Sequence, residues 1–402
     1  MKIIRIPIAV FCLIIYCTQS FSQYTFFKDN EGFAIEVSLS NTKLIRLPAY
    51  RNGISSLAVT GDLVTGGTTA GEKLSPYIFT ASLSKKEMIA VKDVGDVIAG
   101  QQAVATGFFH GKNNILYAGT LAGRINDSTY GDGHLIEVRT GAGGSIDLTD
   151  LGSPVKGEGV FALTIDTASG MLYGLSYPSG IFFTFRIATK ETKTFLASKI
   201  TQAEKDTLNE FSIAPDKYLS RALVVDNKGL VYGSRPVNRM FVFDPSLNTF
   251  TTLSDMLPEV WGRRTLGQAD ALIRSKEGKL YGANSGDGQL FELDASSLKI
   301  KNLGKPIMMN RIRGLAFGAD NKLYGIAGAP PGYAHFFSYD QANEGFSDYG
   351  NPQFIMKAPG IEQGIEWRGF RLGAIAASED GKYIVLGEDD TLSQLLVYPV
   401  GN

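Results

Sequence analysis

A short motif recurs along this chain, and its spacing constrains the fold more than any other feature. In each copy an apolar run ends in a tight turn, and the next short strand carries Leu-Tyr-Gly or a looser variant. Turns rich in Asn, Asp and Gly between apolar runs are typical of paired β-strands. The tyrosines of these copies, roughly 43–59 residues apart as in propeller blades, are Tyr117, Tyr173, Tyr232, Tyr281, Tyr324 and Tyr383.

The copy between Ser220 and Leu253 shows a whole repeat unit. Its four short strands are predicted at Arg221–Val225, Leu230–Ser234, Met240–Phe243 and Phe250–Leu253. A sheet of this size is too small to be stable alone, so it needs neighbours of its own kind. A seventh copy, Leu57–Thr65, lacks the tyrosine but keeps the apolar run and the turn. The sequence therefore predicts an all-β fold, a seven-bladed β-propeller.

The two ends of the chain are predicted to meet in the last blade. That blade has only three strands of its own, at Gly373–Ser378, Tyr383–Glu388 and Leu395–Val400. The segment Tyr24–Pro48 is expected to supply the fourth strand and so to close the ring without a free edge. The blades are predicted at 50–98, 99–152 and 157–199, and then from about residues 218, 267, 311 and 369. Thr201–Phe211 is the only segment with a helical pattern.

The first 22 residues differ in kind from the rest. Lys2 and Arg5 precede the apolar run Ile6–Tyr16, and Ser20-Phe21-Ser22 supplies small residues for cleavage. This pattern predicts a secretory signal peptide at 1–22, followed by a single propeller domain at 23–402. Cleavage removes both cysteines, which excludes disulfides and thiol chemistry in the mature domain. A periplasmic or extracellular monomer without a membrane span is expected; lipidation of Cys17 is the alternative.

Composition excludes several function classes. The formal net charge is −1, which argues against a general affinity for nucleic acid. The sequence has no His/Cys cluster of the zinc-binding kind, no Gly-x-Ser-x-Gly, no dinucleotide fingerprint and no P-loop. No cofactor is therefore predicted. The acidic run Glu388-Asp389-Asp390 leaves a structural Ca²⁺ open, with a solvated loop as the alternative.

The predicted loops divide into two sets with different chemistry. Turns between the first and second strands of a blade are short and generic, whereas loops between second and third strands, and between blades, emerge together on the opposite face. The candidate ligand-binding residues on these loops are Tyr130, Arg235, Arg239, Arg264, Arg313, Trp367 and Arg368, with Arg311, Arg371, Asn284 and Asp287 nearby. Arginine binds a carboxylate bidentately and aromatic rings stack on sugars. The face therefore predicts a carboxylate-bearing, ring-shaped ligand.

Tyr177, Arg221 and His134 are further candidate site residues. Tyr177 follows the repeated Tyr173 by four residues and begins a loop, so a function and a packing role both remain open. Arg221 is expected beside the propeller axis, where a structural ion pair is the alternative. His134 lies in Gly-His-Leu, which matches the Gly-Gln-Leu around Gln289 at the start of a third strand, so it is expected on the loop face. His110 is expected in a turn on the face opposite the candidate site, as a surface residue. His335 precedes a strand of the sixth blade and is a weaker candidate for a function than His134.

These residues resemble those of a known family. The repeated Gly-Leu-Ala-Phe…Lys-Leu-Tyr-Gly pattern, together with the neighbourhoods of Tyr177 and Arg221, is similar to seven-bladed propeller polysaccharide lyases such as ulvan lyases, rhamnose–glucuronate lyases and oligogalacturonate lyases. The resemblance implies β-elimination at a uronic acid of an acidic polysaccharide or oligosaccharide. It implies that Arg221 neutralises the carboxylate with help from Arg235, and that Tyr177 and His134 act as acid and base. The chain has only three histidines and in this respect differs from oligogalacturonate lyases, which have a histidine-rich metal site.

Two other functions are kept as alternatives. One is a non-catalytic propeller that binds glycan or protein at the same face. The other is a lactonase-type hydrolase, which needs carboxylates and an asparagine around an axial metal. The predicted face holds more arginine than carboxylate, which disfavours the hydrolase.

Overall fold

Antiparallel strands form nearly all of the regular structure. The computed structural model of the protein describes residues 32–37, 47–48, 50–126, 129–210, 220–235, 237–259, 267–308, 311–328, 333–356, 365–390 and 393–401. The predicted signal peptide at 1–22 lies outside these residues. Within the described part there is a single α-helix, and no helix there is long and apolar enough to cross a membrane.

The N-terminal strands form one wide sheet. Strand β1 is Phe33–Glu36. The next strands are β2 Gly53–Thr60, β3 Leu63–Thr69, β4 Tyr77–Ser82, β5 Glu87–Asp93, β6 Gln101–Val104, β7 Phe109–His110, β8 Leu116–Ala122, β9 Arg124–Asn126, β10 Thr129–Tyr130, β11 Leu135–Thr140 and β12 Ile146–Gly152. Strands β9 and β10 form a separate ribbon. Strand β1 belongs to the last sheet, described below. The remaining nine strands contain two four-stranded units, β2-β3-β4-β5 and β7-β8-β11-β12, which β6 joins by pairing with β3 and β8.

Four further sheets follow, each of four strands in sequence order. Their strands are β13 Gly159–Asp166, β14 Met171–Tyr177, β15 Phe182–Arg186, β16 Glu191–Phe195, β17 Val224–Val225, β18 Val231–Arg235, β19 Arg239–Asp244, β20 Thr249–Met256, β21 Ala269–Arg274, β22 Leu280–Asn284, β23 Leu290–Asp294, β24 Lys299–Gly304, β25 Ile312–Phe317, β26 Leu323–Ala327, β27 His335–Asp340 and β28 Gly345–Gly350. The repeated four-stranded meander is the blade of a β-propeller, as predicted.

The last sheet joins the two ends of the chain. After the ribbon β29 Gln353–Met356 and β30 Ile365–Arg368, the strands are β31 Leu372–Ala377, β32 Tyr383–Glu388 and β33 Gln394–Pro399. Strand β1 pairs with β33, from Phe33 opposite Val397 to Glu36 opposite Gln394. The prediction that an N-terminal strand closes the last blade is therefore confirmed.

The helix α1, Gln202–Glu210, lies between two blades as predicted from Thr201–Phe211. A capping box begins it, because the Thr201 hydroxyl accepts the Glu204 N–H while the Glu204 carboxylate accepts the Thr201 N–H. Its buried Leu208 packs beside Phe161. Short 3₁₀ turns are found at Val94–Asp96, Lys112–Asn114, Ala142–Gly144 and Leu196–Ser198.

A cross-strand contact explains why Leu-Tyr-Gly recurs. In five blades a glycine of the second strand lies opposite a phenylalanine of the third. The pairs are Gly66–Phe79, Gly174–Phe183, Gly233–Phe241, Gly282–Phe291 and Gly325–Phe337. A Cβ on these glycines would lie 2.1–2.6 Å from the tip of the opposing ring. The phenylalanine ring therefore occupies the space that a side chain at the glycine position would need, and only glycine leaves room for the ring.

The repeated tyrosines are core residues in five of the six copies. Tyr117, Tyr173, Tyr232, Tyr281 and Tyr324 are at most 3% exposed. Tyr383 was predicted to occupy the same buried position. This prediction is wrong, since the Tyr383 side chain is 36% exposed. Its carbonyl accepts the Ser378 N–H and so closes the turn, as the Lys279 carbonyl does for Ser275. Tyr383 thus lies two residues before the buried position that Tyr281 occupies in its own blade.

Gly282→Ala is expected to destabilise the protein by about 1–3 kcal/mol, the usual cost of overpacking a core. The added methyl would lie 2.3 Å from the Phe291 ring tip, so the ring or the strand must shift. Thermal unfolding followed by circular dichroism measures the effect. Gly345→Ala is the matched control, since no neighbouring atom lies closer than 3.8 Å to its Cβ position. An equal melting temperature for both variants would contradict the packing argument.

Candidate functional site

A cavity of about 600 Å³ runs along the propeller axis. Inner strands β2, β7, β21, β25 and β31 line it, together with residues 221–223. Its middle is apolar, formed by side chains such as Leu57, Leu272 and Ile375. The charged lining residues lie where inner strands begin and second strands end, which is the face that the sequence predicted. His110 lies at the opposite end, exposed as expected.

Four arginines and two aspartates meet at this mouth of the cavity. We call Arg221, Arg311, Arg313 and Arg371 the arginine cluster. The Arg311 Nε–H donates to Asp270, and both side chains are nearly buried. Asp389 accepts from Arg313 Nη1 at 3.5 Å and lies 3.6 Å from Arg371 Nη2. Arginine thus outnumbers carboxylate among these six residues.

Arg313 lies close to the other charged groups of the cluster. Burial lowers the pKa of its guanidinium, and the nearby charge of Arg311 lowers that pKa further, whereas Asp389 and Asp270 oppose the shift. Its Nε–H is buried and has no acceptor among the described residues. A bound anion would offset the repulsion between Arg313 and the neighbouring arginines. The predicted ligand-binding role of Arg313 is consistent with this position.

A phenylalanine brings Arg221 and Tyr177 together. The Arg221 guanidinium lies over the Phe161 ring, 4.5 Å from its centroid. The half-buried Tyr177 ring stacks on the same Phe161, with centroids 5.2 Å apart and planes at 28°. Strand β17 begins only at Val224, later than predicted, because the Arg221 N–H donates to Ala269 of the next blade. That bond turns Arg221 out of the strand and toward the cavity.

His134 occupies the same face but lies farther from the axis. It is not among the residues that line the cavity. Its Nδ1 is 2.8 Å from an Asp150 oxygen, on the outermost strand of its blade. Its backbone N–H donates to the Thr120 hydroxyl at 2.8 Å. The structure therefore does not bring His134 to the stack of Tyr177, Phe161 and Arg221.

The His134–Asp150 pair has a counterpart in another blade. His335 begins β27, and its Nδ1 is 3.0 Å from both Asp348 oxygens on β28. In both blades the same aspartate also accepts the N–H of a glycine two residues later, Gly152 or Gly350, at 2.8 Å. An arrangement that recurs in this way is best explained as a structural link between the outer strands.

Arg235 and Arg239 contact the protein itself. The Arg235 guanidinium is 3.3 Å from both carboxylate oxygens of Glu204 on α1, and about a fifth of each side chain is exposed. A carboxylate of the protein thus holds the predicted helper of Arg221. Arg239 is exposed, and it donates to the Ser254 carbonyl of the outer strand at 3.3 Å. It therefore points away from the axis.

The remaining predicted residues divide between structural positions and undescribed ones. Asp287 is fully buried and 3.2 Å from Lys305 Nζ, and Asn284 is fully buried and donates to the Pro258 carbonyl. Arg264 lies outside the described residues. The backbones of Tyr130, Trp367 and Arg368 belong to β10 and β30, but their side chains are outside the described part.

No group of three or more potential metal-binding side chains occurs within the described ranges. Asp389, in the acidic run considered for Ca²⁺, contacts Arg313 and Arg371. Phe161 and Asp270 were not among the predicted site residues. In the structure they link the cluster, Phe161 as the ring under Arg221 and Asp270 as the partner of Arg311.

Comparisons with known proteins extend only to structures. No family model matches the chain, and no curated protein matches its sequence. A streptogramin B lyase structure is similar, with a TM-score of 0.57 and 9% identity, covering 91% of this chain and 96% of that one. A catalytically inactive virginiamycin B lyase from Staphylococcus aureus with quinupristin also has a TM-score of 0.57, at 10% identity over 91% and 99% of the two chains. At such identities the likeness shows the fold alone: the chain is a β-propeller.

Proposed function

We propose that this protein is a polysaccharide lyase that cleaves a uronic-acid-containing glycan by β-elimination. The observation that carries the proposal is the stack of Tyr177, Phe161 and Arg221, in which Arg221 lines the cavity together with Arg311 and Arg313. Tyr177 and Arg221 both contact the Phe161 ring, which supports a shared role for the tyrosine hydroxyl and the cation. The cavity volume of about 600 Å³ is also in the range of ligand sites.

The proposed chemistry requires an acid/base group and a counter-charge for the carboxylate. A base removes the C5 proton, the electron pair forms the C4–C5 double bond, and the bond from C4 to its oxygen breaks. The leaving oxygen then takes up a proton. Negative charge grows on the carboxylate in the transition state, and preorganised cations such as Arg221 and Arg313 stabilise it. The Tyr177 hydroxyl is the proposed acid or base.

His134 stays in the proposal as a second acid/base group, although its contact with Asp150 weakens its case. Arg235 and Arg239 are now assigned supporting roles at the rim. Tyr130, Arg264, Trp367 and Arg368 remain proposed substrate-binding residues.

The wider context of the proposal also comes from the sequence. We infer seven blades, counting the two four-stranded units of the nine-stranded sheet as a blade each. The pattern of residues 1–22 supports export to the periplasm or beyond, with lipidation of Cys17 as the alternative. We further propose a monomer that works without a cofactor on an acidic polysaccharide or oligosaccharide. The lyase activity named for the two similar structures supports elimination chemistry by fold analogy alone.

A non-catalytic binding protein is the second candidate. The observation in its favour is that Arg311, Arg313 and Arg371 already contact aspartates. These contacts hold the arginine side chains in fixed positions. Arginines held in this way can bind an anion without any proton transfer. A metal-dependent lactonase ranks third, since the described residues contain no group suited to a metal.

The test is incubation of the mature chain with a panel of uronic-acid polysaccharides. Elimination introduces a double bond conjugated to the carboxylate, so ultraviolet absorbance should rise for at least one glycan. The same glycan with its carboxylates reduced to alcohols should give no signal, because its C5 proton is no longer acidified. Binding without any unsaturated product would favour the second candidate, and saturated new ends would favour hydrolysis.

Arg221→Ala is expected to lower turnover about 10²–10³-fold, the usual effect of removing one group that stabilises developing negative charge. Stability should change little, because the Arg221 side chain is exposed. Arg186→Ala is the matched control, since that arginine is exposed at the end of β15, on the opposite face. A large fall in melting temperature with normal turnover would show that Arg221 is a structural residue.

A further inference from the structure

Two aromatic rings lie exposed and side by side on the face of the arginine cluster. The Tyr333 side chain is 60% exposed and the Phe370 side chain 41%. Their centroids are 5.0 Å apart and their planes are inclined by 40°. We call this pair the aromatic platform. Large rings left in water in one contiguous patch are unfavourable unless something covers them, so such a patch marks a contact site.

Buried polar contacts hold the platform in place. The Ala334 N–H, one residue after Tyr333, donates to the Phe370 carbonyl at 2.9 Å. The amide of Asn351 donates to the carbonyls of Ala334 and Gly369, at 3.0 and 2.6 Å. Asn351 is only 4% exposed. A single buried side chain therefore clamps the two segments that carry the rings, so the rings are preorganised before any partner arrives.

The platform is continuous with the arginine cluster. Phe370 directly precedes Arg371, which lies 3.6 Å from Asp389. On the other side, the Gly328 N–H donates to the Arg311 carbonyl at 2.9 Å. The Tyr333 carbonyl packs against Gly328, where a Cβ would lie 2.4 Å from it. Both rings are therefore attached through the backbone to arginines of the cluster.

We infer that the aromatic platform is a second subsite, which stacks a sugar ring of the same acidic oligosaccharide whose carboxylate the arginine cluster binds. This inference rests on the proposed function. Arg371, directly after Phe370, gives the rings a cationic neighbour, which favours an anionic chain over a purely apolar partner. Two exposed, tilted rings offer flat apolar surface to one face of a sugar, while its hydroxyls stay in water. The platform thus favours oligosaccharides that extend beyond the sugar unit bound by the arginine cluster.

The test measures binding by calorimetry with the full mature chain and two pairs of probes. The acidic pair is a galacturonate disaccharide and hexasaccharide, and the neutral pair is xylobiose and xylohexaose. Tyr333→Ala and Phe370→Ala should each weaken binding of the acidic hexasaccharide roughly three- to tenfold. Binding of the acidic disaccharide should stay unchanged, because it fills the cluster alone. Tyr383→Ala, which removes an exposed ring from the opposite face, is the control.

The outcomes separate this inference from the proposed function. If the platform variants bind every probe as the wild type does, the subsite is refuted while the lyase proposal stands. If binding of xylohexaose depends on the rings but no uronate is bound or cleaved, the platform is supported as a sugar site and the lyase proposal fails. A wild type that binds neither hexasaccharide refutes both.

Discussion

Tyr177→Phe is expected to lower turnover by about 10²–10⁴-fold on any glycan that the wild type cleaves, the usual contribution of general acid/base catalysis. The substitution removes the only ionisable atom and keeps the ring that stacks 5.2 Å from Phe161. Packing and ligand affinity should therefore change little. Initial rates of unsaturated product formation, measured over a range of glycan concentrations, separate the effect on kcat from the effect on KM.

The matched control is Tyr173→Phe, four residues earlier on the same strand. Tyr173 is 1% exposed and belongs to the blade core. Loss of its hydroxyl should cost about 1 kcal/mol of stability and leave turnover unchanged. Full turnover by Tyr177→Phe would transfer the acid/base role to His134 or to another residue of this face. A combined Tyr177→Phe and His134→Ala variant then shows whether both act on one step, since effects on one step are less than additive.

The fold could be predicted because its determinants are local and repeated. A glycine opposite a phenylalanine, such as Gly282 and Phe291, needs only one hairpin to meet. The turn before Tyr232 is equally local, since the Asp226 carboxylate accepts the N–H groups of Lys228 and Leu230. Tyr383 was misassigned because its blade has a longer first turn, and spacing alone does not reveal such an insertion.

The site was predicted less completely because its contacts join distant segments. Arg311 and Asp270 are 41 residues apart and come from neighbouring blades. Arg235 meets Glu204 only because α1 packs against the face of the propeller. Neither pair has a signature in the sequence. The contact of His134 with Asp150 did have one: an Asp-x-Gly follows the histidine in two blades, at Asp150 and at Asp348.

Removal of the closing strand β1 is expected to abolish cooperative folding of the whole domain. Strand β33 carries Leu395, Leu396 and Val397, all fully buried, and without β1 it becomes an exposed apolar edge. Ile35 is also fully buried, in a cluster that contains both Val397 of the last blade and Leu57 of the first. The strand thus bridges the two ends of the ring, and its loss affects both.

A chain that lacks residues 24–48 should therefore be insoluble or lack a cooperative thermal transition by circular dichroism. Ile35→Ala tests the same contact more gently and should cost about 2–5 kcal/mol in urea denaturation. Leu247→Ala, at a side chain 69% exposed, is the control and should change stability by less than about 0.5 kcal/mol. Adding a synthetic peptide of residues 24–48 to the truncated chain should restore the transition, because the peptide can re-form the β1–β33 ladder. An unchanged melting transition in the truncated chain would show that the ring does not depend on this closure.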